Sequence, residues 1–199
     1  MVSTKTTFAE LLALPEIVEE CELRGRFGFM AYHGGGLEEM TDVIAREAAA
    51  RAGASYYGVV HPADWTLHLS SIHVTPDHSD ALASFLDHVD VVITVHGFGR
   101  RQLFTSLLLG GRNRELAGHV AAHLRRELPA YDIVDELDDI PEELRGVHPR
   151  NPVNLPRNQG VQVELPPRAR GSSPLWWDWE GGLVPHTEAV IRALAAAAG

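Results

Sequence analysis

The segment that most constrains the fold is residues 89–95, which read Val-Asp-Val-Val-Ile-Thr-Val. β-Branched residues dominate the run, and they favour an extended strand. Apolar side chains fall on both faces of that strand, which is typical of a parallel sheet covered by helices on its two sides. The segment therefore predicts the central strand of an α/β domain.

Predicted strands and helices alternate along the rest of the chain. Helical spacing of apolar residues predicts helices over residues 41–52, 77–87, 114–128 and 188–198. Short apolar or alternating runs predict strands over residues 26–32, 55–60, 67–74, 106–109, 131–134 and 161–165. With no internal repeat or dividing linker, we predict one α/β domain over residues 1–199, in which a mostly parallel, mixed central sheet is flanked by helices. Residues 1–25 are expected to form an N-terminal helical extension.

Composition limits the function classes. The formal net charge is −10 at pH 7, which argues against a protein that coats nucleic acid or an anionic membrane. The single cysteine, Cys21, excludes a disulfide framework and any thiolate-rich zinc or iron–sulfur site. The chain contains 11 histidines. A metal site or general base in this chain would therefore be built from histidine and carboxylate.

The chain shows no targeting signal. Glutamates interrupt the apolar residues near the N-terminus, whereas a signal peptide needs an uninterrupted apolar stretch. No run approaches the ~20 apolar residues of a membrane span. We expect a cytoplasmic monomer that binds neither nucleic acid nor membrane. Release of the protein when the cell lyses is compatible with this expectation.

The first candidate site is His33-Gly-Gly-Gly-Leu-Glu38, where a predicted strand meets a predicted helix. Ligands of open α/β sheets gather at the carboxyl ends of strands, and glycines let the backbone approach a ligand closely. His33 and Glu38 could thus converge on one metal ion. Read alone, the segment also fits a glycine-rich turn with a solvated glutamate.

His96 repeats the placement of His33, because it ends the central strand and is followed by Gly97. A lone histidine on a strand is usually a satisfied core residue, but two histidines at two strand ends, each followed by glycine, are harder to explain in that way. Together with Glu38 they form the His₂Glu set of catalytic zinc sites, which keep a fourth position open. Such ligands suit zinc better than calcium or magnesium.

Glu164 lies in an apolar run over residues 160–165, where a carboxylate is costly unless it is paired or functional. The alternation of a strand places Gln162 and Glu164 on one face and the intervening valines on the other. A glutamate beside a zinc ion can take a proton from water and pass it to a leaving nitrogen. The alternative is a strand-edge glutamate that faces solvent.

Five segments occur in order along the chain: His33-Gly-Gly-Gly-Leu-Glu38, Leu67-His-Leu-Ser-Ser-Ile-His73, Val95-His96-Gly97, Gly146-Val-His-Pro-Arg-Asn151-Pro-Val-Asn154 and Gly160-Val-Gln-Val-Glu164-Leu. Together they resemble the poly-γ-glutamate hydrolase family, which includes phage-borne enzymes that cut the γ-glutamyl polymer of bacterial capsules. The resemblance extends from about residue 26 to the C-terminus. The chain is also similar, more distantly, to the zinc carboxypeptidases.

The resemblance implies a zinc-carboxypeptidase-like fold and a zinc-dependent hydrolase of peptide-like amide bonds, with γ-glutamyl linkages as its substrate. It implies that His33, Glu38 and His96 bind the zinc ion. It also implies that Glu164 is the catalytic general base.

The same resemblance implies that residues of the late loop, 146–160, hold substrate carboxylates or the oxyanion. The residues concerned are Asn151, Asn154 and Arg157. The family pattern has more arginine and glycine in this loop than the present sequence does.

Two further residues are expected to contact an anionic, peptide-like substrate. His73 lies on the predicted strand 67–74, on the opposite face from His68, and is a pocket candidate. Arg100 follows His96 closely, and arginine binds carboxylates bidentately. Because the chain is acidic, we expect the arginines to gather around the zinc ion and the carboxylates to face elsewhere.

Other functions remain open. One is a non-catalytic, metal- or polyanion-binding module of prophage origin, and another is a zinc carboxypeptidase or amidohydrolase with a different substrate. An α/β-hydrolase esterase would need a Gly-x-Ser-x-Gly turn, which the sequence lacks. A phosphate-binding P-loop would need Lys and Ser or Thr after the glycines of residues 34–36, and these are missing too.

Overall fold

A computed structural model gives the structure of residues 6–199; the first five residues of the expected N-terminal extension lie outside the described part. The strands are β1 (Val18–Glu22), β2 (Phe27–Gly35), β3 (Ser55–His61), β4 (Val91–Gly97), β5 (Ser106–Gly110), β6 (Asp132–Val134) and β7 (Gly160–Leu165). The helices are α1 (Phe8–Leu12), α2 (Thr41–Ala52), α3 (Asp80–His88), α4 (Arg114–Glu127), α5 (Pro167–Arg170) and α6 (Pro185–Ala197).

The seven strands form one mixed sheet in the order β1-β3-β2-β4-β7-β5-β6. The β3–β2, β2–β4, β4–β7 and β5–β6 pairs are parallel, and the β1–β3 and β7–β5 pairs are antiparallel. The predicted α/β fold with a mostly parallel, mixed sheet is confirmed. Strand β4 occupies the middle of the sheet, as its β-branched sequence predicts.

Helices cover both faces of the sheet. On one face α2, α4 and α6 pack over a large apolar cluster that includes Ile93 and Val95 of β4. On the other face α1 and α3 pack over a second cluster that includes Val92. Because successive side chains of a strand point to opposite faces, His96 projects on the same face as Val92. The α3 face of the sheet therefore carries the candidate site.

The predicted strand over residues 67–74 is wrong. This segment is irregular and contains only a short 3₁₀ helix, Ser71–His73. Its polar–apolar alternation resembles that of a strand, but β3, the strand that precedes it in the chain, is already paired on both edges, with β1 and with β2. The segment therefore crosses the end of the sheet as a loop, and the expected opposite faces of His68 and His73 do not apply.

The N-terminal extension is helical only in α1, and Val18–Glu22 forms the edge strand β1. Two glutamates of β1 are held by side chains of the main domain: the Tyr57 hydroxyl donates to Glu19 at 2.6 Å, and Arg46 pairs with Glu20. In residues 6–199 we find no helix that is long and apolar enough to cross a membrane.

Candidate metal centre

The turn between β2 and α2 brings Glu38 back beside His33. The Glu38 amide donates to the His33 carbonyl at 2.9 Å, which closes the loop that contains the three glycines. Gly35 has a φ of 68°, and a Cβ added there would lie 2.2 Å from the carbonyl oxygen of His61. Only glycine fits this position, because the backbone is left-handed and the neighbouring strand is too close for a side chain.

His96, at the carboxyl end of the adjacent strand β4, completes a buried cluster with His33 and Glu38. One ligand atom from each side chain lies within 4.8 Å of the other two. Nδ1 of His33 is 3.0 Å from Oε1 of Glu38, and Nδ1 of His96 is 3.2 Å from Oε2. The Gly97 amide donates to the same Oε2 at 2.9 Å. The structure thus brings together the three predicted metal ligands.

The hydrogen-bond partner of each Nε2 atom determines whether the proton of the neutral ring lies on Nε2 or on Nδ1. Nε2 of His33 is 2.9 Å from the carbonyl oxygen of Leu69, and a carbonyl only accepts, so Nε2 carries the proton. Nε2 of His96 is 3.1 Å from the Tyr32 hydroxyl, which itself donates to Oδ1 of Asn151 at 3.0 Å. That hydroxyl therefore accepts from His96. When both rings are neutral, each Nδ1 atom therefore keeps its lone pair, and both Nδ1 atoms face Glu38.

Lone pairs that converge in this way fit a divalent cation. In the neutral cluster the Nδ1 atoms and the carboxylate oxygens are all acceptors, so they repel one another unless a proton or a cation lies between them. Burial lowers the pKa of His33, which favours the neutral ring. Burial alone would also lower the pKa of His96, but Glu38 raises it above its ordinary value, so a cation must displace a proton from this ring. Burial alone would raise the pKa of Glu38, but His33 and His96 hold it well below its ordinary value. An ionised carboxylate and neutral imidazoles are the forms that bind metals.

A third imidazole reaches the cluster, and our sequence reasoning missed it. The His68 ring lies 4.4 Å from the His33 ring, between centroids, and its Nε2 is 3.7 Å from Oε1 of Glu38. His68 is exposed, whereas His33 and His96 are buried. Only the loop conformation of residues 67–74, which replaces the expected strand, brings His68 here.

Glu164 lies beside the cluster on β7. It is the register partner of His96 in the parallel β4–β7 pair, and Val161 and Val163 pack into the opposite core. The predicted alternation, with Gln162 and Glu164 on one face, is therefore confirmed. Burial raises the pKa of Glu164 to about 7, and the charge of Glu38 adds to this effect. The carboxyl is thus poised to gain or lose a proton near neutral pH.

A chain of hydrogen bonds connects His96 to Glu164. From the Tyr32 hydroxyl it continues through Asn151, whose side-chain amide donates to Oε1 of Gln162 at 2.9 Å. Gln162 in turn donates from Nε2 to Oε1 of Glu164 at 2.9 Å. All of these side chains are buried. The chain of hydrogen bonds fixes the orientation of the candidate metal ligand His96 and of the neighbouring Glu164 carboxyl together.

The predicted substrate-binding asparagines have internal partners in the structure. Asn151 is 3% exposed and belongs to the hydrogen-bond chain just described. Asn154 accepts from the Arg112 amide at 3.1 Å and donates to the carbonyls of Gly146 and His148. Both side chains shape the late loop from within, and the structure does not expose them to a ligand.

The structure does not bring Arg157 to this site. Asn158 donates from its backbone amide to the Asp90 carbonyl at 2.8 Å, and Asp90 directly precedes β4. The Arg26 ion pair and, to a lesser extent, the Arg157 guanidinium lower the pKa of Asp90. Arg157 therefore lies at the amino end of β4, whereas His96 lies near the carboxyl end.

The remaining predicted contacts are near the site but differ in availability. Arg100 follows β4 and is paired with Glu143. His73 is exposed on its 3₁₀ helix. Arg170 is buried beside Gly97, and its guanidinium donates to the carbonyls of Leu165 and Glu39. These arginines do not form the expected ring of free positive charge around the cluster.

Solved structures of other proteins share this fold. A bacteriophage poly-gamma-glutamate hydrolase superposes with a TM-score of 0.73 at 19% identity, covering 92% of this chain and 87% of its own. The zinc-free form of a protein called YNDL superposes with a TM-score of 0.71 at 22% identity, covering 94% of this chain and 95% of its own. A metallo-carboxypeptidase from Burkholderia cenocepacia superposes with a TM-score of 0.52 at 10% identity, covering 94% of this chain and 65% of its own. The predicted carboxypeptidase-like fold is confirmed.

Sequence comparison gives a relative and a family. The SPbeta prophage-derived UPF0714 protein YoqZ of Bacillus subtilis (strain 168) is 28% identical over 137 residues, which are 68% of this chain and 46% of that protein. The chain thus spans about half the length of the curated relative it matches. The sequence profile of the poly-gamma-glutamate hydrolases matches residues 8–173. The predicted family is confirmed, but its predicted extent is wrong, because the match begins at residue 8 instead of about residue 26 and ends at residue 173, before the C-terminus. The chain belongs to the poly-gamma-glutamate hydrolase family.

Proposed function

We propose that this protein is a zinc-dependent hydrolase that cleaves the γ-glutamyl amide bonds of poly-γ-glutamate. Membership of the hydrolase family supports the reaction class. The observation that carries the proposal is the convergence of two Nδ1 lone pairs and one carboxylate on one buried point, with a second carboxyl, Glu164, beside it.

The donor set favours zinc among the common divalent cations. Two imidazoles and one carboxylate are borderline ligands that suit zinc, whereas calcium and magnesium prefer sites made of oxygen atoms. Three protein ligands also leave a coordination position open, as catalytic zinc sites require. When bound, zinc would supply Lewis-acid activation of the scissile carbonyl and of water.

Glu164 is the proposed general base. Its carboxylate would take a proton from the attacking water and would later deliver that proton to the leaving amine nitrogen. Without a metal the pKa of Glu164 is about 7, and a bound cation would lower it and so favour the ionised carboxylate that a general base needs. Gln162 holds Oε1 of Glu164 at 2.9 Å, so the opposite oxygen is the one available to water.

The decisive variant is Glu164→Gln, which keeps the size and the acceptor oxygen of the side chain but removes the base. We expect the purified variant to retain about one equivalent of zinc while its cleavage of poly-γ-glutamate falls by about 10²- to 10⁴-fold. Zinc content is measured by elemental analysis, and cleavage by the loss of polymer length. A fully active Glu164→Gln protein would contradict the assigned mechanism.

Two controls separate the metal from the base. His33→Ala and His96→Ala should lose both zinc and activity, because each removes a ligand. A panel of α- and γ-linked glutamyl polymers tests the substrate. If the protein binds zinc and cuts only other amide bonds, the substrate proposal fails. If it binds the polymer without cutting it, the non-catalytic alternative stands.

A further inference from the structure

A large groove lies beside the metal centre on the α3 side of the sheet. Its volume is about 1050 Å³, slightly above the roughly 300–1,000 Å³ typical of small-molecule pockets. The start of α1, the loop of residues 67–78 and the late loop near Arg150 form its walls. The groove is therefore large enough for an extended segment of a chain as well as for a compact ligand.

The loop of residues 67–69 connects the groove to the proposed metal ligands. Leu69 lines the groove, and its carbonyl accepts the Nε2 proton of His33. His68 also lines the groove, and its Nε2 reaches to 3.7 Å from Glu38. A ligand that occupied the groove would thus have one end next to the buried cluster.

The lining of the groove is suited to carboxylates, although the whole chain is acidic. Three imidazoles and the guanidinium of Arg150 face it, against a single carboxylate among the described lining residues, that of Asp77. Imidazole N–H groups donate hydrogen bonds even when the ring is neutral. Arg150 is exposed, and within residues 6–199 its guanidinium has no ion-pair partner. The imidazoles belong to His68, His73 and His78.

We propose that this groove binds an extended, carboxylate-bearing polymer chain on one side of the scissile bond, and that Arg150 binds one of its carboxylates. The proposal rests on the proposed function, which it deepens by naming the surface that recognises the substrate. It also replaces the sequence-based assignment of Arg157, because the late loop presents Arg150, and not Arg157, at the carboxyl end of the sheet.

The two arginines of the late loop provide a matched pair of variants. Both are exposed and lie seven positions apart, but only Arg150 lines the groove. For zinc-loaded enzyme acting on poly-γ-glutamate, we expect Arg150→Gln to raise KM about 3- to 10-fold, with kcat within about 2-fold, since an exposed charge-assisted contact is worth about 1 kcal/mol. Arg157→Gln should leave both constants unchanged.

A binding measurement separates failure of the groove from failure of the catalytic proposal. Calorimetry in the zinc-loaded Glu164→Gln background measures the affinity for the uncut polymer, and Arg150→Gln should weaken it by the same factor. A methyl-esterified polymer, which has no free carboxylates, should not distinguish the two arginine variants.

Each outcome is decisive. If the native enzyme does not cut the polymer but the Arg150-dependent affinity is present, the groove proposal stands and the catalytic one fails. If cutting is efficient while Arg150→Gln and Arg157→Gln bind and turn over alike, the groove proposal is overturned. Absence of any polymer binding overturns it as well.

Discussion

What distinguishes His33 and His96 from ordinary buried histidines is the partner of Nε2. Leu69 supplies a carbonyl to one ring and Tyr32 a hydroxyl to the other, so each ring has its proton fixed on the far side from Glu38. Such partners orient the ring and raise its basicity as a metal ligand. The chemistry of the centre therefore depends on residues that would not touch the metal.

Tyr32→Phe tests this dependence. The change keeps the ring and removes the acceptor for His96, so we expect zinc affinity to fall about 10- to 100-fold. Competition with a chromophoric zinc chelator measures the affinity. Tyr57→Phe is the matched control, because Tyr57 is equally buried but its hydroxyl donates to Glu19 near the sheet edge. Equal zinc affinities in the two variants would contradict the role of Tyr32.

At the scale of secondary-structure elements, the corner between β2 and α2 does most to build the site. The β2–β3 register shifts between Ala31 and Gly34, and Gly35 then adopts a left-handed conformation against His61. Without this corner the chain could not return Glu38 to hydrogen-bonding distance of the His33 carbonyl. Strand β4 contributes His96 because its carboxyl end lies next to this corner.

Gly35→Ala should therefore be much more harmful than the same change at Gly53. Both glycines have similar positive φ angles, 68° and 64°, but an added Cβ at Gly53 has nothing within 4 Å. We expect Gly53→Ala to cost about 1 kcal/mol of unfolding free energy from backbone strain. Gly35→Ala should cost about 1–3 kcal/mol more because of the clash. Urea unfolding at constant zinc measures both, and equal losses would refute the close-contact argument.

At the scale of the whole molecule, the three proposed metal ligands come from β2, from the turn after it and from β4, so they converge only in the folded chain. A cation that binds them binds the native state and not the unfolded one. The acidic chain keeps much of its charge in surface ion pairs such as Arg26–Asp90 and Arg51–Glu188. These exposed pairs contribute little to stability.

Zinc should consequently stabilise the protein against heat. At a free zinc concentration 100 times Kd, the linkage is worth about 2.7 kcal/mol. For a chain of this size that corresponds to a rise in Tm of roughly 5–11 °C. Scanning calorimetry of chelated and zinc-loaded protein measures the shift. His96→Ala should show almost none, and an equal shift in this variant would place the stabilising zinc elsewhere.

Much of the fold follows from local pattern. The run at residues 89–95 predicts a central strand, and β4 is central. Observed helix boundaries differ from the predicted ones where a capping residue sets the first turn. The helix expected from Asp77 begins at Asp80, because the Ser79 hydroxyl accepts from the Leu82 amide at 2.9 Å. The strand prediction for residues 67–74 is wrong because alternation of polar and apolar residues cannot show whether a neighbouring strand has a free edge to pair with.

The sequence by itself determined that His33, Glu38 and His96 could meet, since parallel strands end at one edge of a sheet and glycines permit the turn between them. It also determined the common face of Gln162 and Glu164, because side chains alternate along a strand. Only the tertiary structure decided the rest. His68 approaches Glu38, Asn151 lies inside the late loop, and Arg150 rather than Arg157 lines the groove. Loop paths depend on packing between segments far apart in the chain, and no local periodicity encodes that packing.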